Sequence, residues 1–160
     1  MNRRAFIAAG ALAAVSLRPA TALAASDEGG LLLGLWRREA WAAHAYQSVL
    51  YTDAQLVHFG MQEGDHARAV ATQLAAVGLD TPVGPTSVAD LDIAAQRLAN
   101  AGTKRAEVWA AAIALEEGLV ALYQQAIPAL PDPKIAMTAA TILASHAQHL
   151  FILRSSARVP

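Results

Sequence analysis

Apolar residues recur at steps of three and four along four stretches of this chain. That spacing lays a stripe down one side of a helix and turns it towards a core. Leu32, Leu35, Ala42 and Val49 mark the first stripe, in a helix expected from about Gly30 to Tyr51. Leu56, Gly60, Val70, Leu74 and Val77 mark the second, with Asp53 placed to cap its start and Gly78 to stop it. Trp109, Ala112, Leu119 and Ala126 form the third, capped by Thr103 and closed by Pro128. Ile135, Ala139, Ile142 and Leu153 form the fourth, with Asp132 as N-cap, Pro133 at the first helical position and an end near Ser156. Residues 78–86 hold two prolines and two glycines and read as a loop, after which Ser87 starts a short helix, Val88 to Leu98. Strand formers never alternate over a useful length, so the chain reads as all-α. The short turn between the first two helices makes them antiparallel neighbours, whereas the long connection to the third permits a crossover.

The polar residues that interrupt these stripes form a pattern of their own. In the first half, Glu39 is followed seven residues later by Tyr46, and one helix further on by Glu63 and His66. In the second half, Glu116 is followed by Tyr123 and then by His146 and His149. Residues three apart share a helix face, so each pair can grip one ion. The helix turns near 51–53 and 128–133 bring each glutamate level with the pair on the next helix. Carboxylates and imidazoles are costly to bury unpaired, and six of them at one depth point to a divalent metal. Tyr46 and Tyr123 read either as core aromatics whose hydroxyls reach a partner or as groups supporting the metal ligands. Glu117 lies about 100° round the helix from Glu116 and is assigned to the surrounding layer. His44 and His58 have no partner at ligand spacing and are left out.

The ends of the chain narrow the setting. Met1-Asn2-Arg3-Arg4 followed by the apolar run Ala8 to Leu17 looks like a twin-arginine-type export signal, a general secretory signal being the alternative. Ala22-Leu23-Ala24 supplies a small-residue cleavage pattern, so residues 1–24 are expected to be removed and 25–160 to form one domain in the periplasm or outside the cell. The apolar run is too short for a stable membrane anchor. With no cysteine in the chain, disulfides and thiolate metal sites are excluded. Residues 25–160 carry nine basic against thirteen acidic side chains, which offers no electrostatic case for nucleic acid or an anionic membrane.

The order of these residues, over essentially all of the chain after the leader, resembles the ferritin-like di-metal carboxylate superfamily. The resemblance implies an antiparallel four-helix bundle whose long second connection contains a short helix. It implies Glu39 and Glu116 as terminal ligands, Glu63 as a bridging carboxylate, His66 as the imidazole paired with it, and His149 as the second family histidine. His146 stands where a glutamate is expected. Three carboxylates and three imidazoles shift preference towards zinc, copper, nickel or ferrous iron, and leave one ion or two as alternatives. Iron or manganese would fit an enzyme acting on oxygen or peroxide. The other readings are a non-catalytic metal-binding or stress protein, and a metal-free helical interaction module whose polar layer fixes register. Leu31, Leu33 and Trp36 lie off the first stripe and read either as a homodimer interface or as an imperfect stripe.

Overall fold

A computed structural model describes residues 20–157 apart from residue 52, with side chains described from Glu28 onward. Most of the expected leader, Arg3 and Arg4 included, lies outside the described residues. Five α-helices follow in order: α1 (Ala20–Ser48), α2 (Ala54–Ala76), α3 (Ile93–Ala99), α4 (Arg105–Ala126) and α5 (Pro133–Ser156). There is no strand among the described residues. α1 packs most extensively on α2, and α4 on α5, while the short α3 lies against α1 and α4.

Local chemistry accounts for most of the boundaries. The Asp53 carboxylate accepts the Gln55 N–H at 2.8 Å and starts α2. At the other end Gly78 adopts φ +78°, Gly78 N–H reaches the Ala75 carbonyl, and Leu79 N–H reaches that of Leu74. This is a Schellman closure, and its left-handed residue favours glycine. Asp132 accepts the Lys134 N–H at 2.7 Å, and Pro133 opens α5 as expected.

Several boundaries differ from expectation, among them the end of α1, at Ser48 rather than near Tyr51. α1 begins at Ala20 rather than near Gly30. The alanine-rich stretch before Glu28 favours helix, and the helix runs on through Gly29, against which the Leu79 side chain packs. The helix expected over Val88 to Leu98 is two elements, a single 3-10 turn at Val88–Asp90 and then α3. Asp90 draws in the N–H groups of Thr86 and Ser87, Leu91 is extended, and Asp92 caps anew by accepting the Ala95 N–H. Two competing aspartate caps break what the apolar pattern joins. α4 starts one residue later than expected, with Lys104 rather than Thr103 at the N-cap and no side-chain cap bond.

The core divides into two apolar clusters. One gathers Tyr46, Phe59, Leu98, Trp109, Leu115 and Leu153, and the other Leu32, Leu35, Leu74, Tyr123, Ile135 and Ile142. On α1, α2 and α5 the predicted polar residues fall in the interval between the two, and Glu116 joins them from α4. Trp36 is buried in the second cluster, and Leu31 and Leu33 pack partly buried against it. Arg38 pairs with Asp92 and ties α3 to α1.

α1 and α2 approach closely at Gly60, where a Cβ would lie 2.9 Å from Tyr46 Cβ. That atom sits at the base of its side chain and cannot swing away. Gly60→Ala is therefore expected to destabilise the protein by about 1–3 kcal/mol, read as a lower thermal midpoint; an unchanged midpoint would mean the two helices are not in contact there.

Candidate metal centre

Each of the four long helices sends polar side chains into the gap between the apolar clusters: Glu39 from α1, Glu63 and His66 from α2, Glu116 from α4, and His146 and His149 from α5. All but His66 are buried, and His66 reaches the edge of the layer. The six residues proposed from sequence thus meet in one place.

Their contacts fall into two poles. At one, His66 Nδ1 lies 3.3 Å from Glu63 Oε2 and 3.4 Å from Glu39 Oε2. At the other, His149 Nδ1 lies 3.1 Å from Glu63 Oε1 and 3.3 Å from Glu116 Oε1. His146 stands between, with Nε2 3.1 Å from Glu39 Oε1 and Nδ1 3.0 Å from Glu116 Oε2. Two groups of ligand atoms, each gathered within 4.8 Å, satisfy the needs of a cation site: Glu39, Glu63, His66 and His146, and then Glu63, Glu116, His146 and His149.

The donor set fits a divalent ion on a further count. Glu39 Oε2 and Glu63 Oε1 are buried without a well-directed hydrogen bond, their nearest partners being the His66 imidazole at 3.4 Å and the His149 imidazole at 3.1 Å. A buried carboxylate oxygen left in that state is costly, and a metal is one of the few partners able to satisfy it. Oxygen and imidazole donors together suit iron, manganese, zinc or copper.

Tyr46 and Tyr123 occupy matching places in the two halves but are bonded differently. The Tyr46 hydroxyl donates to Glu116 Oε1 at 2.6 Å, crossing from α1 to α4. The Tyr123 hydroxyl is buried and unpartnered. Burial, reinforced by Glu116 for Tyr46 and by Glu39 for Tyr123, holds both phenols well above their ordinary range.

Glu117 is a correction. It lies on the outer face of α4, half exposed, and pairs with Arg154 at 2.6 Å. The 100° step between consecutive helical residues that separates it from Glu116 carries it out of the core altogether. Sequence reasoning also missed Gln62, whose Oε1 accepts the Nε2 proton of His149 at 2.8 Å and leaves Nδ1 turned into the layer. Such a partner fixes the tautomer of a ligating imidazole. Its sole signal was adjacency to Glu63. Phe59, read only as core, stacks on the His149 ring at 4.2 Å.

Electrostatics explains how the layer survives without an ion. Burial disfavours every charge here, but for most of the groups the pairing outweighs it. Against burial, His146 holds Glu39 well below the usual carboxylate range, and His146 with His149 lowers Glu116. For Glu63 burial wins, and its carboxyl is raised. Against burial, Glu39 and Glu116 raise His146 to about 11, and Glu39 with Glu63 raises His66 to about 9. His149 is raised by Glu116 and Glu63. Protons on the imidazoles then supply the positive charge.

An all-helical protein with buried carboxylates and imidazoles converging from four helices is of the kind that holds an ion at its centre. The ferritin-like domain family matches residues 32–158, and the chain belongs to that family. No curated protein and no solved structure matches it.

Two predictions follow from this geometry. Tyr46→Phe removes a bond to a buried carboxylate and should cost about 1.5–3 kcal/mol together with roughly tenfold in metal affinity. Tyr123→Phe removes an unpartnered hydroxyl and should be close to neutral or stabilising. Denaturant melts and metal titration of the two variants test this, and equal effects would contradict the assigned asymmetry. The second concerns pH. In metal-free protein the histidine values lie above the ordinary 6.5, so the stability they contribute is fully present below pH 6.5 and is lost as pH rises through about 9 for His66 and about 11 for His146. An ion displaces those protons, so the thermal midpoint of loaded protein should separate increasingly from that of metal-free protein between pH 6.5 and 9. Parallel midpoints across that range would show that the imidazoles do not exchange protons for metal.

Proposed function

We propose that this chain is an exported ferritin-like protein that binds divalent metal through Glu39, Glu63, His66, Glu116, His146 and His149, and that it carries out redox chemistry on oxygen or peroxide. The four long helices compose an antiparallel four-helix bundle, and the stretch from residue 77 to 104, α3 included, is the long connection between its two hairpins. Residues 1–24 direct the chain to the periplasm or beyond and are removed. The observation that carries the metal reading is the pair of overlapping ligand groups in a buried layer, each gathered within 4.8 Å. Two buried carboxylate oxygens held only by imidazole contacts of poor hydrogen-bond geometry weigh against a metal-free interaction module, whose polar layer would need to satisfy itself.

Bound there, iron or manganese supplies one-electron chemistry towards a small oxidant. The chain's own part is to hold, exclude and admit. The apolar clusters on either side keep bulk water from the layer. Tyr46 steadies Glu116, and Gln62 steadies His149. Entry is at His66, which lines a groove of about 390 Å³ between α2 and α5 with Asp65, Thr138, Thr141 and Ser145. A groove of this size readily admits an ion or a diatomic molecule.

A second reading, metal binding without turnover, is favoured by His146. An imidazole in place of a fourth carboxylate leaves less negative charge to hold a higher oxidation state. Anaerobic loading with ferrous iron followed by exposure to oxygen separates the two. The oxidase reading expects iron retained on the chain and oxygen consumed in proportion to it. Retained metal with no oxygen uptake would leave the binding protein, and no retained metal of any kind would remove both.

A further inference from the structure

The two ligand groups overlap in just two residues, Glu63 and His146, and each of those two is divided between the poles. Glu63 turns Oε2 towards His66 and Oε1 towards His149. His146 turns Nε2 towards Glu39 and Nδ1 towards Glu116. A carboxylate can give both oxygens to one ion, but an imidazole cannot give both nitrogens to one, because they point away from each other across the ring. A fully buried ring with each nitrogen facing a different carboxylate is therefore placed to serve two ions at once.

Resting on the metal reading above, we infer that His146 is a bridging ligand between two divalent ions, one held with Glu39 and His66 and the other with Glu116 and His149, with Glu63 as the second bridge. With both nitrogens coordinated, the ring has released its N–H protons to solvent and carries one negative charge. Glu39, Glu63 and Glu116 alone leave two divalent ions with an excess positive charge in a dry layer, which is strongly disfavoured. The imidazolate supplies the fourth negative charge and makes the site neutral. His146 thus takes the place of a carboxylate in charge as well as in position, and the chain keeps a dinuclear site.

The arrangement around the ring supports this. The His146 ring stands at a steep angle to those of His66 and His149, with ring centroids 5.1 Å and 6.0 Å away, so it stacks on neither. Tyr123 lies 5.5 Å from the His146 ring and braces it from the side of the second apolar cluster. The ring therefore holds its orientation between the poles without a hydrogen bond from any group outside the layer.

Copper(II) alone is a suitable probe, since it accepts imidazole and carboxylate donors and carries one unpaired electron. The full chain is loaded, excess copper is removed, copper per chain is counted by mass spectrometry, and the electron paramagnetic resonance intensity is measured. The expected result is two coppers per chain, one for each ligand group, with most of the intensity lost because the spins couple through the shared ring. His146→Gln, with its helicity checked by circular dichroism, should recover the intensity or fall to a single copper. His146→Glu restores a bridging carboxylate and should again hold two. One copper in the wild type, or two at full intensity, would overturn the bridge while leaving the metal reading intact. So would a lost signal that persists in His146→Gln with two coppers bound, since Glu63 would then carry the coupling unaided. No copper, and no iron, zinc or manganese under the same loading, would overturn the metal reading itself.

Discussion

The rest of the structure answers to one constraint: buried charge has to be compensated inside a layer that excludes water. Glu39, Glu63, Glu116, His146 and His149 lie out of solvent, and none of them could remain there alone. Their mutual contacts draw four helices to a common depth, because each helix supplies one or two of the charges and no two neighbouring helices hold a complete set. Apolar residues then close the layer from both sides. The packing of leucine, isoleucine and aromatic side chains supplies the stability, and the charged layer fixes which helices meet and where.

The layer is close to two-fold. Glu39 corresponds to Glu116, Glu63 to His146, His66 to His149, and Tyr46 to Tyr123. Besides the exposure of His66 and the Gln62 bond of His149, two departures from that symmetry stand out. Tyr46 has found the opposite glutamate while Tyr123 has no hydrogen bond, and Gly60 packs close against the base of the Tyr46 side chain. The other departure is His146, which replaces a flexible anion by a rigid ring whose donors face opposite ways. A carboxylate there could serve one ion or two. A ring held between Glu39 and Glu116 has fewer choices, and that restriction makes its chemistry legible from position.

Much of this was visible before any coordinates. The four long helices, the caps at Asp53 and Asp132, the stop at Gly78 and the six converging residues all follow from periodicity and spacing. These features are local, or are set by which face of a helix a residue occupies. The places where the pattern misled are equally specific. Asp90 and Asp92 broke an expected helix because a side-chain oxygen competes for the backbone, a choice that hydrophobic spacing does not encode. Glu117 turned outward because a single residue step on a helix is enough to leave the core.

What could not be read from one dimension concerns pairs that are distant along the chain. Tyr46 and Glu116 are separated by 70 residues, and Gln62 and His149 by 87. Nothing in the spacing around either residue distinguishes the tyrosine that bonds from the one that does not. The division of His146 between two poles belongs to the same class, since ring orientation depends on neighbours from three other helices. Helix faces, caps and the identity of the buried charges are written into the order of residues, because they depend on a fixed periodicity and on chemistry within a turn or two. Which charge faces which, and through which atom, was left to packing, because those contacts exist only once all four helices have been brought together.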